Sequence, residues 1–586
     1  MPAGPAIRAR PVAAVVTAVV AVGLVAAGCT LPTGSIRREP LAERAGDGSG
    51  GPETSAALRW DDCDDDLPGL QCATLTVPRD RARPDGPTVE LALARHRAGS
   101  SESRLGAIVV NPGGPGASGI DLVPQLASAM DRRVLDRFDI VGFDPRGVGR
   151  SAPVACIDDK ATLNALDGDP DTPAEVDRTI EVQRAVTKAC VERFGLLLPH
   201  LSTTATAHDL DAIRAALGEE RLTYLGFSYG TEIGAVYASL YPDRIRALVL
   251  DGAVAPDLDG DELALAQAKG FDRAFASFVA RCRTDSRCAA APDAAALYEQ
   301  VRVAVERAPI PVSTAGERRS LTIGDFQYGV VSGLYDQALW AYLARGLRDA
   351  ARGDGAWLLA LADLYHERRA DGSYPNSADA NLAVSCADDA TRPTPADAQA
   401  AAERWAREAP LVGAQLGWST MGCHGWPFGA VERPAIATTT SAPILVVGTV
   451  DDPATPYEWS QRLTDALAPA ARLLTWDGEG HTAYLKSDCV TEAVDAVLVE
   501  LRLPAAGTRC AAATDAVDRA FAGIAPELRD AFETNSGLTR AVADCVATAV
   551  ADALRPEDLA ALYQGELSDS LERTVTSATT RCTGRR

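Results

Sequence analysis

Eight short apolar runs rich in β-branched residues, each closed by a turn signal, recur along the chain. They span Leu75 to Val77, Val89 to Arg95, Ala107 to Val110, Phe138 to Phe143, Leu222 to Leu225, Ile245 to Leu250, Ile444 to Val447 and Arg472 to Trp476. Runs of this length between Gly, Pro, Asn or Asp punctuators predict strands. Between several of them the apolar spacing switches to the helical period, as over Thr206 to Leu217 and Thr231 to Leu240. Strands alternating with helices predict an α/β fold with a mostly parallel eight-stranded sheet, Leu75 to Val77 lying at its edge. In such sheets chemistry gathers at the carboxyl ends of the strands.

The strand rhythm stops between Asp257 and Arg433, where helical spacing takes over, as in Glu262 to Cys282 and Ala338 to Leu361. This predicts a helical cap, 257–433, inserted over the sheet's carboxyl edge between two parts of one core, 58–256 and 434–510. Trp340, Trp357, Trp405, Trp418 and Trp426, five of the eight tryptophans, fall in the cap. They suit either the walls of a peptide pocket or the cap's own interior. Beyond Cys510, apolar stripes over Ala516 to Phe521, Leu538 to Leu554 and Glu557 to Leu571 predict a small helical appendage, 511–586, without assigned chemistry.

Composition narrows the setting. At 586 residues and 47% hydrophobic, the chain is too apolar for disorder and long enough to bury a large core. Lys plus Arg number 57 against 80 Asp plus Glu, a net charge of −23 that argues against nucleic acid as a partner. Arg8 and Arg10 precede an apolar stretch from Pro11 to Gly28 that ends in small residues just before Cys29. This resembles a bacterial lipoprotein signal, 1–28, with Cys29 as the lipidated new N-terminus. Residues 29–57, rich in Gly, Pro and Ser without periodicity, predict a flexible tether. The chain is therefore expected outside the cytoplasm, held at the cell membrane by its lipid or secreted.

The 13 cysteines agree with that setting, because setting Cys29 aside leaves an even twelve, enough for six disulfides. Pairing nearest neighbours in chain order is the simplest arrangement. There is no C-x-x-C and no zinc-ligand spacing, so neither a metal nor any other cofactor is expected.

The chemistry lies where strands end. Gly226-Phe227-Ser228-Tyr229-Gly230 follows one predicted strand and opens a predicted helix, the context in which a serine is pushed out as a nucleophile between two obligatory glycines. A serine hydroxyl needs a base within reach. Of six histidines, His481 is best placed, in Gly478-Glu479-Gly480-His481-Thr482 after the last strand. An acid must orient the imidazole, and Asp451 and Asp452 both follow the strand Ile444 to Val447. Asn111-Pro112-Gly113-Gly114-Pro115-Gly116 follows the strand Ala107 to Val110, where Gly113 and Gly114 can turn backbone N–H groups toward a reacting carbonyl. The N–H of Tyr229 would complete that oxyanion hole.

Together these motifs, with F-D-P-R-G-V-G-R-S at Phe143 to Ser151, D-G-A-V-A-P at Asp251 to Pro256, D-P-A-T-P-Y at Asp452 to Tyr457 and G-E-G-H-T-A-Y at Gly478 to Tyr484, are similar to those of one family. From about Trp60 to Cys510 the chain resembles the tripeptidyl aminopeptidase and proline iminopeptidase group of α/β-hydrolase serine peptidases. The resemblance implies Asp452 as the acid, steadied by Thr455, and release of short di- or tripeptides from a free N-terminus through an acyl-enzyme on Ser228. An exopeptidase also needs a carboxylate for the substrate's α-ammonium. Glu232, Asp388 and Asp389 are the candidates. Two other readings stay open: an esterase using the same triad, and a peptide-binding lipoprotein without turnover.

Overall fold

The computed structural model describes residues 58–583 apart from 65–66, 315–316, 564–568 and parts of 513–537. The signal segment, Cys29 and the tether lie outside the described residues, as does most of the expected helix Ala516 to Phe521.

Among the described residues ten strands form one sheet. They are β1 (Asp61–Asp62), β2 (Gln71–Pro78), β3 (Thr88–His96), β4 (Gly106–Asn111), β5 (Phe138–Phe143), β6 (Leu222–Phe227), β7 (Ile245–Asp251), β8 (Ile444–Asp451), β9 (Ala471–Glu479) and β10 (Arg509–Cys510). The spatial order is β1-β2-β3-β5-β4-β6-β7-β8-β9-β10, antiparallel from β1 to β5 and parallel from β5 to β10. The expected count of eight is thus corrected to ten. The two additions are two-residue pieces at the edges, too short to carry any alternation, and each adjoins a disulfide, Cys63–Cys72 or Cys489–Cys510.

Every residue of β4, β5 and β6 is buried, as continuous apolar runs require when helices cover both faces. Alternate side chains divide between two cores. Val109, Val141, Tyr224, Leu248 and Val446 face one, while Ile108, Ile140, Leu225, Val249 and Leu445 face the other. Helices α1 (Gly119–Ala129), α2 (Thr203–Ala216) and α3 (Tyr229–Leu240) follow the strand ends or precede the strands as the alternation predicts.

Among the described residues the inserted segment is mostly helical, beginning with α4 (Gly260–Thr284), with one isolated antiparallel bridge between Ile310 and Leu321. The stretch Ala338 to Leu361 is broken at Gly353 and Gly355 into α5 (Trp340–Ala350) and α6 (Ala356–Tyr365). Further on, α7 (Ser377–Asp388) lies across the sheet's carboxyl edge and is fastened at Cys386 to Cys423. Closing a loop of that length contributes about 4 kcal/mol in the chain-entropy account. After α8 (Asp488–Glu500) come the tail helices α9 (Arg540–Ala553), α10 (Pro556–Tyr563) and α11 (Asp569–Cys582).

The tail does not stand apart. Phe521, Leu528, Val546, Val550, Leu559 and Val575 share one apolar core with Phe278, Trp340, Leu343 and Leu358 of the cap. An amphipathic helix must cover its apolar stripe, and here the cap supplies the partner surface. All five cap tryptophans are buried, so the structure resolves their role as packing. The six disulfides join 63–72, 156–190, 282–288, 386–423, 489–510 and 545–582, the nearest-neighbour order expected from sequence.

Candidate active site

Ser228 sits between β6 and α3 with φ 53° and ψ −127°, in the left-handed half of conformational space that side chains avoid. A residue held there costs on the order of 1–3 kcal/mol. The neighbouring glycines make the turn possible. A Cβ at Gly226 would lie 2.5 Å from the Gly230 carbonyl oxygen, and one at Gly230 would lie 2.7 Å from that of Asn111. The turn is held from below, because the Ser228 N–H donates to the Asp251 carbonyl at 2.9 Å and the Ser228 carbonyl accepts from both the N–H and the hydroxyl of Thr231.

His481 and Asp452 are both 1% exposed. Nδ1 of the imidazole lies 3.0 Å from each carboxylate oxygen. Asp452 also accepts N–H bonds from Ala454 (2.9 Å) and Thr455 (2.8 Å), and the Thr455 hydroxyl donates to it at 3.0 Å. A carboxylate so surrounded by donors is an acceptor only, so Nδ1 carries the proton and Nε2 keeps the lone pair a base needs. The imidazole lies over Gly252, where a Cβ would be 3.2 Å from His481 Cε1 and 3.1 Å from Thr455 Oγ1, and the preceding residue, Asp251, holds the Ser228 N–H through its carbonyl. Asp451 takes no part in this contact. Its side chain is on the exposed side of the strand end, and only its backbone carbonyl serves the loop, accepting from the Gly480 N–H at 3.2 Å.

Two residues that sequence reasoning left without a role hold the histidine loop. Asp251, wholly buried at the end of β7, accepts the N–H groups of Ala483 and Tyr484 at 2.8 to 3.1 Å, and burial pushes its carboxyl up to about 6. Its motif was visible in the sequence, but nothing local says which backbone it receives. Tyr335 of the cap accepts the His481 N–H at 2.8 Å, and its ring lies edge-on at 5.7 Å from the imidazole. No sequence signal marked it.

The loop after β4 faces the serine, with a correction to its expected roles. Gly113 packs against the nucleophile turn so closely that a Cβ would lie 2.9 Å from both Ser228 Cβ and the Tyr229 nitrogen. Its own N–H is committed to Asn111 Oδ1 at 3.0 Å, so Gly113 supplies room and not a donor. Among the described residues the N–H groups of Gly114 and Tyr229 have no acceptor, and these two are the pair available to an oxyanion.

The three candidate amine-binding carboxylates separate. Glu232 and Asp388 are brought to one corner beside Tyr229, where Glu232 pairs with Arg433. Asp388 accepts from the N–H (2.9 Å) and hydroxyl (2.5 Å) of Thr203, and burial, with the Glu232 charge beside it, pushes it up to about 7. Asp389 instead closes its own turn, accepting the Thr391 N–H at 2.7 Å.

Compared with known proteins, residues 106–488 match the model of the alpha/beta hydrolase fold family. The chain is 37% identical over 517 residues to the serine protease Hip1 of Mycobacterium tuberculosis, covering 84% of this chain and 96% of that protein. It is 36% identical over 521 residues to carboxylesterase B of the same species, covering 86% and 99%. To the tripeptidyl aminopeptidase of Streptomyces lividans it is 33% identical over 476 residues, covering 78% and 87%.

Proposed function

Since the chain belongs to the alpha/beta hydrolase fold family, we propose that it is an exported serine aminopeptidase that releases di- or tripeptides from the free N-terminus of peptides. The observation that carries the chemistry is the buried His481–Asp452 pair packed on Gly252, next to Asp251, whose carbonyl holds the Ser228 N–H. In the proposed cycle Nε2 of His481 takes the Ser228 proton as Oγ attacks the scissile carbonyl. The oxyanion forms against the N–H groups of Gly114 and Tyr229. The imidazolium, stabilised by Asp452, then protonates the leaving amine, and water repeats the sequence to free the acyl group.

The exopeptidase mode draws support from the corner holding Glu232 and Asp388, carboxylates able to receive an α-ammonium beside the oxyanion hole. A peptide panel with free and acetylated N-termini tests it. Acetylation is expected to lower kcat/KM by about 100-fold, the worth of a charge-assisted contact left unmade. Equal cleavage of both forms would remove the exopeptidase reading. The second reading, an esterase, is favoured by the likeness to carboxylesterase B. Simple esters in the same panel decide it, since an esterase would turn them over far faster than any peptide.

We extend the proposal to export and anchoring at the cell membrane through lipid on Cys29, on the strength of the charged, apolar and small-residue succession before it. Mass spectrometry of the mature N-terminus is expected to find lipidated Cys29 as the first residue. An N-terminus upstream of Cys29, or an unmodified thiol there, would overturn it.

A further inference from the structure

One helix of the cap touches the first arm of the oxyanion hole and reaches the second through Thr203. In the second turn of α7, Asn381 Nδ2 donates to the Pro115 carbonyl at 3.0 Å. A Cβ on Gly116 would lie 2.3 Å from the Ser377 carbonyl oxygen, so this end rests directly on the loop that carries Gly114. Just before the helix, Asn376 accepts the Gly149 N–H at 2.9 Å and donates to the Gly147 and Val154 carbonyls at 2.8 Å. That amide fastens the helix to the core independently of the loop.

The other end of α7 reaches the second arm. Asp388, its last residue, accepts from the Thr203 N–H and hydroxyl. Thr203 Oγ1 lies 2.6 Å from the Tyr229 hydroxyl. The Thr203 hydroxyl thus stands between the Asp388 carboxyl and the Tyr229 hydroxyl, hydrogen-bonded to each. Tyr229 is the residue whose backbone N–H is the second oxyanion donor, and its side chain is buried. The disulfide at Cys386 fixes this end again.

We propose that α7 is the brace that sets the separation of the Gly114 and Tyr229 N–H groups, with Asn381 and Thr203 as positioning residues acting through Pro115 and Tyr229. An oxyanion hole works only when both donors sit about 2.7–3.1 Å from the same oxygen. The two donors come from different loops, one of them rich in glycine. A 12-residue helix spans roughly 18 Å and bends little, so a contact at each end ties the donors to one rigid body. The cap thereby contributes to the transition state as well as covering the site.

The inference rests on Ser228 as nucleophile with those two donors, and the experiment separates the two claims. Asn381→Ala removes the first contact. Thr203→Val removes the second at constant shape, and Thr203→Ser restores the hydroxyl. Asp388 is left intact because it also lines the amine corner. Each protein is labelled to completion with a fluorophosphonate, so that kcat is expressed per reactive Ser228. KM for a free-amine peptide anilide, the Kd of a peptide boronic acid and the melting temperature are measured beside it.

The expected result is a fall of about tenfold in kcat per labelled site for Asn381→Ala and Thr203→Val, with KM within about twofold and boronate affinity falling in parallel. Thr203→Ser should recover the wild-type value. Lower melting temperature with full kcat per labelled site, or higher KM at constant kcat, would overturn the brace. Should Asn381→Ala fail to fold, the Val and Ser pair at 203 decides alone. Wild-type protein that labels anywhere other than Ser228 would instead overturn the underlying reading.

Discussion

Ser228→Ala is expected to abolish fluorophosphonate labelling and to lower kcat by about 10,000-fold or more, while leaving the fold intact. The size follows from what the residue does. With Oγ gone no acyl-enzyme forms, and only the oxyanion donors and substrate binding remain to assist water. The fold should survive because the side chain makes no capping bond, and the turn is held by backbone contacts to Asp251 and Thr231 that alanine keeps. Label on another residue of the folded protein, or turnover persisting in the variant, would refute the acyl-enzyme mechanism.

Asp452→Asn is expected to cost about 10,000-fold in kcat, and Asp451→Asn no more than about threefold, the scale of an exposed substitution. At 452 every neighbour is a donor: the N–H groups of Ala454, Thr455 and Thr482, the Thr455 hydroxyl and His481 Nδ1. An amide NH2 placed among them must oppose at least one. The relief open to His481 is to move its proton to Nε2, which removes the base from Ser228. At 451 the carboxylate is exposed and its useful contact is its backbone carbonyl, which asparagine retains. Steady-state kinetics of both variants check the order, and the reverse order would transfer the role of acid to Asp451.

The motifs that carry the triad were legible because each is a local solution to a local problem. Gly226 is demanded by a contact within a few residues of Ser228, and Thr455 reaches Asp452 inside a single turn, whereas the contact that demands Gly230 is with the distant Asn111. The roles of Gly113 and Gly114 were not separable in this way. Which N–H stays available depends on Asn111 folding its side chain back onto Gly113, and a string of glycines carries no mark of that. Asp251 and Tyr335 were missed as supports of His481 for the opposite reason. Their partners lie far along the chain, and only the closed structure brings them together.

By itself the sequence marked eight of the sheet's ten strands and the elbow serine with its histidine, narrowed the acid to Asp451 or Asp452 until the family motif chose the latter, and made nearest-neighbour pairing the simplest disulfide arrangement. These rest on periodicity, short-range sterics and chain proximity, which act over a few residues to a few tens. Only the tertiary structure decided that Gly114 and not Gly113 keeps an available N–H, and that the tail completes the cap's core. It alone placed α7 against the loop that carries Gly114 and, through Thr203, in connection with Tyr229. Those outcomes come from packing between segments remote in the chain, where shape and hydrogen-bond complementarity are settled jointly and no single segment records them.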